Sequence, residues 1–190
     1  MKASEVTAVI VTRGDVDLTP ILETLPFDDV VIWDNSQRQV DAKCYGRFLA
    51  IEEAENETIY FQDDDLIFTA HDELLAVYEP GQITSNMPSP WYERTNYDTL
   101  RCCLVGAGSL VPRDLPEQAF SRYLSECPMD DLFLDYCDQV FGMLSPGKRY
   151  DFGYEILPYA EAPGRIYTSP GASERKAEIQ RRVLAIRDAE

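Results

Sequence analysis

Thr58-Ile59-Tyr60-Phe61-Gln62-Asp63-Asp64-Asp65 is an apolar, β-prone run that ends in three carboxylates. Leu66-Ile67-Phe68 then resumes the apolar pattern, so the acids mark a break between two segments that favour burial. In an extended chain residues i and i+2 share a side, so Asp63 and Asp65 aim together and Asp64 away. Two carboxylates that close repel unless a cation or a shared proton offsets the charge. The reading is a divalent metal site of hard oxygen ligands, Mg²⁺ or Mn²⁺, on Asp63 and Asp65. A solvated strand-to-loop turn is the plain alternative.

Upstream, Val6 to Val11 (VTAVIV) is a continuous apolar run that suits a strand buried on both faces of a parallel sheet. Thr12-Arg13-Gly14-Asp15 breaks it. Leu18, Ile21, Leu22 and Leu25 follow at i, i+3, i+4 and i+7, one face of a helix, with Thr19-Pro20 as its start. Asp29 to Trp33 (DVVIW) predicts a second buried strand, ended by Asp34-Asn35-Ser36. A second helix is predicted over Tyr45 to Ala54, with Cys44, Phe48 and Ile51 inward. Glu57 to Gln62 is the third strand. The order is β-α-β-α-β with polar residues after each strand. Ligands of open α/β sheets bind outside the carboxyl ends of the strands. Thr12-Arg13, Asp34 and Asp63 to Asp65 therefore converge on one edge.

Downstream, a helix is predicted after His71-Asp72, with His71 exposed at its start. Gln82 to Asn86 reads as a strand, and Pro88 to Asn96 as a loop carrying Trp91 and Tyr92. Leu100 to Val111 is apolar with Gly106 and Gly108 inside it, where glycine marks a bulge or a close backbone approach. Asp130-Asp131 opens a helix with a stripe of Phe133, Tyr136, Val140 and Phe141. Ser145 to Gly171, rich in Pro, Gly and Tyr, is a covering lid or an irregular connection. A final helix spans Glu174 to Arg187 and turns Ile179, Val183 and Ile186 to one face.

The whole chain of 190 residues carries 17 basic and 34 acidic residues, a formal charge of −17. That disfavours a face built to neutralise nucleic-acid phosphates. An acidic protein handling an anionic substrate needs a metal or a few placed arginines. No apolar stretch approaches the roughly 20 residues of a membrane span. The first residues lack a signal-peptide core. Five cysteines without a CxxC pair do not make a disulfide frame or a zinc site. The expectation is a cytoplasmic protein with reduced, mostly buried thiols.

These elements, in this order, resemble the GT-A glycosyltransferases, in particular family-2-like members that use a DxD-type motif. The strand VTAVIVTRG, the strand ending in Asp34, FQDDD, VGAGSLVPRD and the pair Asp130-Asp131 carry the resemblance, over about residues 6 to 145. It implies an α/β fold with a Rossmann-type mixed sheet flanked by helices in a single domain. Residues 1–86 would be the nucleotide-sugar half, 87–172 the acceptor half with a lid, and 173–190 a C-terminal helix. The implied reaction is metal-dependent, inverting transfer of a sugar from a UDP- or GDP-sugar to an acceptor hydroxyl.

By the same resemblance, Thr12 and Arg13 hold the nucleotide and Asp34 contacts the base or ribose. Arg47 is the basic residue of the next helix that helps to hold the nucleotide. Asp63 lies near ribose and metal, Asp64 beside the donor, and Asp65 binds the metal. Asp131 is the catalytic base with Asp130 as alternate. Arg13 or Arg175 adds a guanidinium clamp. Gly106, Ala107, Gly108 and Trp91 fall on the acceptor side. The acceptor itself (protein, glycan, small molecule or modified DNA base) is not readable. Many relatives complete the metal shell with a C-terminal histidine, and here Tyr167 to Ser173 has none.

Three rivals remain beside this. A haloacid-dehalogenase-type phosphatase would use Asp63 as nucleophile and Asp65 as acid, but its motif belongs on the first strand and it needs a downstream lysine, Lys148 or Lys176. A nucleotidyltransferase would carry a glycine-rich basic loop after the first strand, which is missing. A sugar-nucleotide-binding domain without turnover is the non-enzyme alternative.

Overall fold

A computed structural model describes residues 1–89, 95–158, 160 and 163–189. Strand β1 (Val6–Thr12) is buried along its whole length: parallel neighbours, β2 (Asp29–Asp34) and β3 (Thr58–Asp63), flank its edges, and packed layers cover both its faces, Val9 on one and Val6, Ala8 and Ile10 on the other. The sheet continues through β6 (Ala107–Pro112), antiparallel to β3, and β5 (Ile83–Asn86), antiparallel to β6. It ends at β7 (Gly147–Tyr150), parallel to β5, giving the order β2-β1-β3-β6-β5-β7. A separate two-strand ladder pairs β4 (Leu66–Ile67) with β8 (Glu155–Ile156). This is the mixed α/β sheet expected.

One face of the sheet carries the larger core. It packs Val9, Ile59, Phe61, Val111, Phe133, Val140 and Phe141 under α5 (Leu115–Leu124), α6 (Asp131–Leu144) and α7 (Ala172–Asp188). Ile179, Val183 and Ile186 do line the buried side of α7. The other face packs Val6, Ala8, Tyr60, Phe68 and Leu74 under α3 (His71–Ala76). Beneath the aspartates, buried Gln62 accepts from Tyr60 Oη at 2.6 Å and donates to the Leu66 carbonyl at 2.9 Å. Those two bonds tie the strand to the residue that follows the acids, and so fix the turn.

Several elements differ from expectation. β2 is an edge strand, not a doubly buried one: Val31 faces the core, while Val30 and Ile32 are 36% and 38% exposed. An apolar run reads alike at an edge and in a centre, because only the neighbouring chain decides the difference. The first helix shrinks to α1 (Thr19–Leu22). The second is a single α turn, α2 (Gly46–Leu49), between 3₁₀ turns Lys43–Tyr45 and Ala50–Glu53. A short α4 (Tyr97–Leu100) precedes β6, so residues 101–106 form no strand. The long helix α5 went unread, and β7 and β8 lie inside the stretch expected to be a lid or an irregular connection. His71 starts α3 as expected but is 4% exposed, not solvated, because Phe27, Tyr60 and Phe68 surround its ring.

Candidate active site

The parallel register brings the strand ends together. Thr12 is paired with Asp34 across β1 and β2, and Val11 with Asp63 across β1 and β3. Past Thr12 the chain turns at Gly14, whose φ of +78° suits glycine, and the Gly14 N–H donates to Thr12 Oγ1 at 3.1 Å. Asp34 accepts from the Ser36 N–H at 2.9 Å and caps the turn Asn35–Gln37. A Cβ on Gly14 would fall 2.6 Å from Asp34 Oδ1, so the two loops touch. Arg13 pairs with Asp15 and lies against Gly164, where a Cβ would stand 2.6 Å from its Nη1.

In the acidic turn Asp64 is buried, while Asp63 and Asp65 keep part of their surface. Arg165, itself buried, donates to Asp64 Oδ1 at 2.5 Å. Arg47, 2% exposed, pairs with Asp63 at 2.5 Å and with Asp138 at 3.4 Å. Burial works against the charge of this guanidinium, but Asp138 and Asp63 on either side outweigh it and raise it above its ordinary value. Asp65 is pushed up to about 7, first by burial and then by the charge of Asp63, with Arg165 and Arg47 opposing. Asp138 is pushed up to about 6 by burial, with Arg47 opposing and Asp63 adding. Burial is thus the first cause of both shifts, and a neighbouring carboxyl adds to each.

A bulge delivers Asp63. Between Phe61 and Gln62 the pairing with β6 slips by one residue and leaves Gly108 unpaired at φ +95°. The Asp63 N–H then donates to the Gly106 carbonyl at 2.7 Å. The space beside Gly106 is filled by the Asp63 carboxylate. The space beside Gly108 is filled by the Phe68 ring, 3.0 Å from where a Cβ would stand. Both glycines thus serve the acidic turn directly, and Ala107, paired with Gln62, is buried between them. Trp91 lies outside the described residues.

At the start of α6, Asp130 accepts from the Phe133 N–H at 2.9 Å and from Arg182 at 2.9 Å. Burial is the largest single influence and raises its carboxyl, but Arg182 and that N–H together outweigh it and hold the group below its usual range. Asp131 is 84% exposed with Lys43 Nζ 3.5 Å away. Lys43 also meets Asp135 at 2.9 Å, and Arg175 pairs with Asp135. Lys43 holds a left-handed backbone (φ 52°), and Asn35 donates to its carbonyl at 3.1 Å. Sequence reading passed over Lys43, Asp135, Asp138 and Arg165. The spacing of Asp131, Asp135 and Asp138 at i, i+4 and i+7 was the signal at hand for an acidic stripe on α6. Nothing in the sequence marked Arg165, which is 101 residues from its partner.

Among the described residues, no group of three or more His, Cys, Asp and Glu side chains is arranged to hold a metal. Two carboxylates, Asp63 and Asp65, are what the turn offers. Mg²⁺ and Mn²⁺ sites commonly use one or two carboxylates and take the remaining oxygens from substrate phosphates and water. The donor set and its excess negative charge fit such an ion.

The fold has known counterparts. A mannosyltransferase from Pyrobaculum calidifontis, solved with GDP-Man and Mn²⁺, superposes over 98% of this chain with a TM-score of 0.55 and 16% identity. The catalytic domain of Drosophila β1,4-galactosyltransferase 7, solved with xylobiose, superposes over 90% of the chain with a TM-score of 0.54 and 13% identity. The chain has the GT-A glycosyltransferase fold. It spans 64% of the length of the mannosyltransferase and 79% of the galactosyltransferase domain. No protein-family model matches this GT-A chain, and no curated protein matches it in sequence. Among the described residues of this GT-A domain, no helix is long and apolar enough to cross a membrane.

Proposed function

We propose that the chain is a nucleotide-sugar glycosyltransferase that moves a sugar from a UDP- or GDP-sugar to an acceptor hydroxyl with inversion. The observation that carries this is the acidic turn at the carboxyl edge of β3, with Asp65 pushed up to about 7 beside Asp63. Support comes from the fold and from the GDP-Man and Mn²⁺ held by a structural counterpart.

Thr12, Arg13 and Asp34 form the nucleotide side, at the ends of β1 and β2. Arg47 holds the partly exposed Asp63 carboxylate in one orientation from within the core. Asp63 and Asp65 would hold Mn²⁺ or Mg²⁺, which when bound supplies Lewis-acid charge to the departing diphosphate. Asp131 accepts the proton of the acceptor hydroxyl as that oxygen attacks the anomeric carbon. Its exposure leaves it open to an incoming acceptor, whereas Asp130 is committed to the helix cap and Arg182.

Asp65→Ala is expected to abolish the Mn²⁺-dependent part of UDP or GDP affinity in titration calorimetry; equal affinities with and without Mn²⁺ in both proteins would remove the metal from this reading. Asp131→Asn is expected to lower transfer by about 10²–10⁴-fold with donor binding intact. Release of free UDP or GDP from a panel of sugar nucleotides tests turnover itself. Donor binding without release would make the domain a binder, and phosphate release from an aryl phosphate would favour a phosphatase.

A further inference from the structure

Arg165 is a cation in an odd position. It belongs to the segment after β8, far in sequence from the acidic turn, yet its side chain is nine-tenths buried against Asp64. Among the described residues, one guanidinium nitrogen donates to Asp64 Oδ1, while Nε and Nη2 are buried without a partner. Asp64 Oδ2 is likewise buried without one. A guanidinium carries five N–H donors in a fork that matches two oxygens at once. Among the described residues a single oxygen answers it, and a buried ion pair left half-satisfied is held at a cost.

The same segment brings a second guanidinium alongside. Gly164 stands directly on Arg13 Nη1, and Arg13 Nε is also buried and, among the described residues, unpartnered. Two arginines with unused donors, one from the β1 loop and one from the later segment, therefore flank residue 164 at the edge of the acidic turn. The segment is anchored to that turn twice more, by the β4–β8 ladder and by the Leu157 N–H donating to the Asp65 carbonyl at 2.9 Å. In a chain of net charge −17, two guanidiniums with unanswered donors beside one acidic turn are the groups that an anion with several oxygens would satisfy.

The geometry points to Arg165 as the residue that grips the diphosphate of the donor, with Asp64 as its resting counter-ion that the diphosphate displaces. The inference rests on the proposed donor class and deepens it. It gives the segment after β8 a part in holding the donor. It also gives the middle aspartate a part distinct from those of Asp63 and Asp65: Asp64 competes with the ligand for one cation.

Competition makes the test a matter of sign. Binding of UDP and GDP, and of UMP and GMP, is measured by calorimetry in EDTA on the wild type, Arg165→Ala, Arg165→Lys and Asp64→Asn, with thermal melts to check folding. Arg165→Ala is expected to weaken the diphosphates about tenfold or more while changing the monophosphates less, and Arg165→Lys to recover part of the loss. Asp64→Asn is expected to tighten diphosphate binding or leave it whole. A purely structural ion pair would make Arg165→Ala and Asp64→Asn weaken binding together, and that result overturns the inference. So does unchanged diphosphate affinity in a folded Arg165→Ala, which leaves the donor class standing. If Asp64→Asn does not fold, the diphosphate-to-monophosphate ratio in Arg165→Lys against Arg165→Ala decides: a ratio equal in the two overturns it. A wild type that binds no nucleoside diphosphate with or without Mn²⁺ defeats both the inference and the proposed function.

Discussion

His71 has aromatic rings on three sides and, among the described residues, no partner for Nε2. Burial pushes its imidazole down to about 4 from an ordinary 6.5, with Asp72 opposing weakly. The folded state therefore resists protonation more than the unfolded chain does. The contribution is fully present above about pH 6.5 and fades as pH falls toward 4, by about 3 kcal/mol at the lower end. His71→Phe is expected to flatten the fall in stability between pH 6.5 and 4, read by urea melts at each pH. Parallel wild-type and variant curves would mean the imidazole is protonated in the fold. At this scale the sequence was a poor guide: a lone histidine before Asp72 and Glu73 looks like a solvated helix start. Only the packing of Phe27 and Phe68 over it buries the ring. Asp64 is buried on Arg165 while Asp63 and Asp65 stay partly exposed, but β3 ends at Asp63, so a turn at Asp64 and Asp65, not the strand alternation read from the sequence, sets them apart.

Elements carry those residues to their places, and the bulge on β6 is the clearest instance. Gly108 needs φ +95°, and the ring of Phe68 leaves 3.0 Å for a Cβ. Gly108→Ala is expected to cost about 1–3 kcal/mol of stability and to disturb the Asp63 N–H bond to Gly106. Denaturant melts read the first effect and nucleotide affinity the second; an unchanged melting curve would mean the bulge can slide. The glycines at 106 and 108 were legible as special positions, because glycine inside an apolar run calls for a backbone reason. What they make room for was not legible, since Asp63 and Phe68 approach from other segments. Helix α6 was readable from its apolar stripe and Asp130 cap. The four-residue helices α1, α2 and α4 blurred because so few turns carry no reliable period.

For the molecule as a whole, charge is the dominant variable. A formal −17 on 190 residues repels itself, and the acids at 63 to 65, 131, 135 and 138 crowd one region. Buried or bridging cations, Arg47, Arg165, Lys43 and Arg175, offset that crowding locally. Raising monovalent salt from about 0.01 M to about 0.15 M shortens the screening length from about 30 Å to about 8 Å. The melting temperature is expected to rise over that range, because net repulsion is screened more than buried pairs are. A fall would show that exposed ion pairs outweigh the repulsion.

Local pattern was enough for the parallel β1-β2-β3 half and for the convergence of Thr12, Asp34 and Asp63 on one edge. Strand periodicity and the position of polar residues after apolar runs are properties of neighbouring residues, so they can be read in order along the chain. The tertiary structure alone decided that β2 is an edge, that β7 closes the sheet, and that His71 is buried. It alone gave Asp63 to Arg47 and Asp64 to Arg165. Ion pairs between residues 16 and 101 positions apart leave no periodic trace, because what selects them is the shape of the folded core.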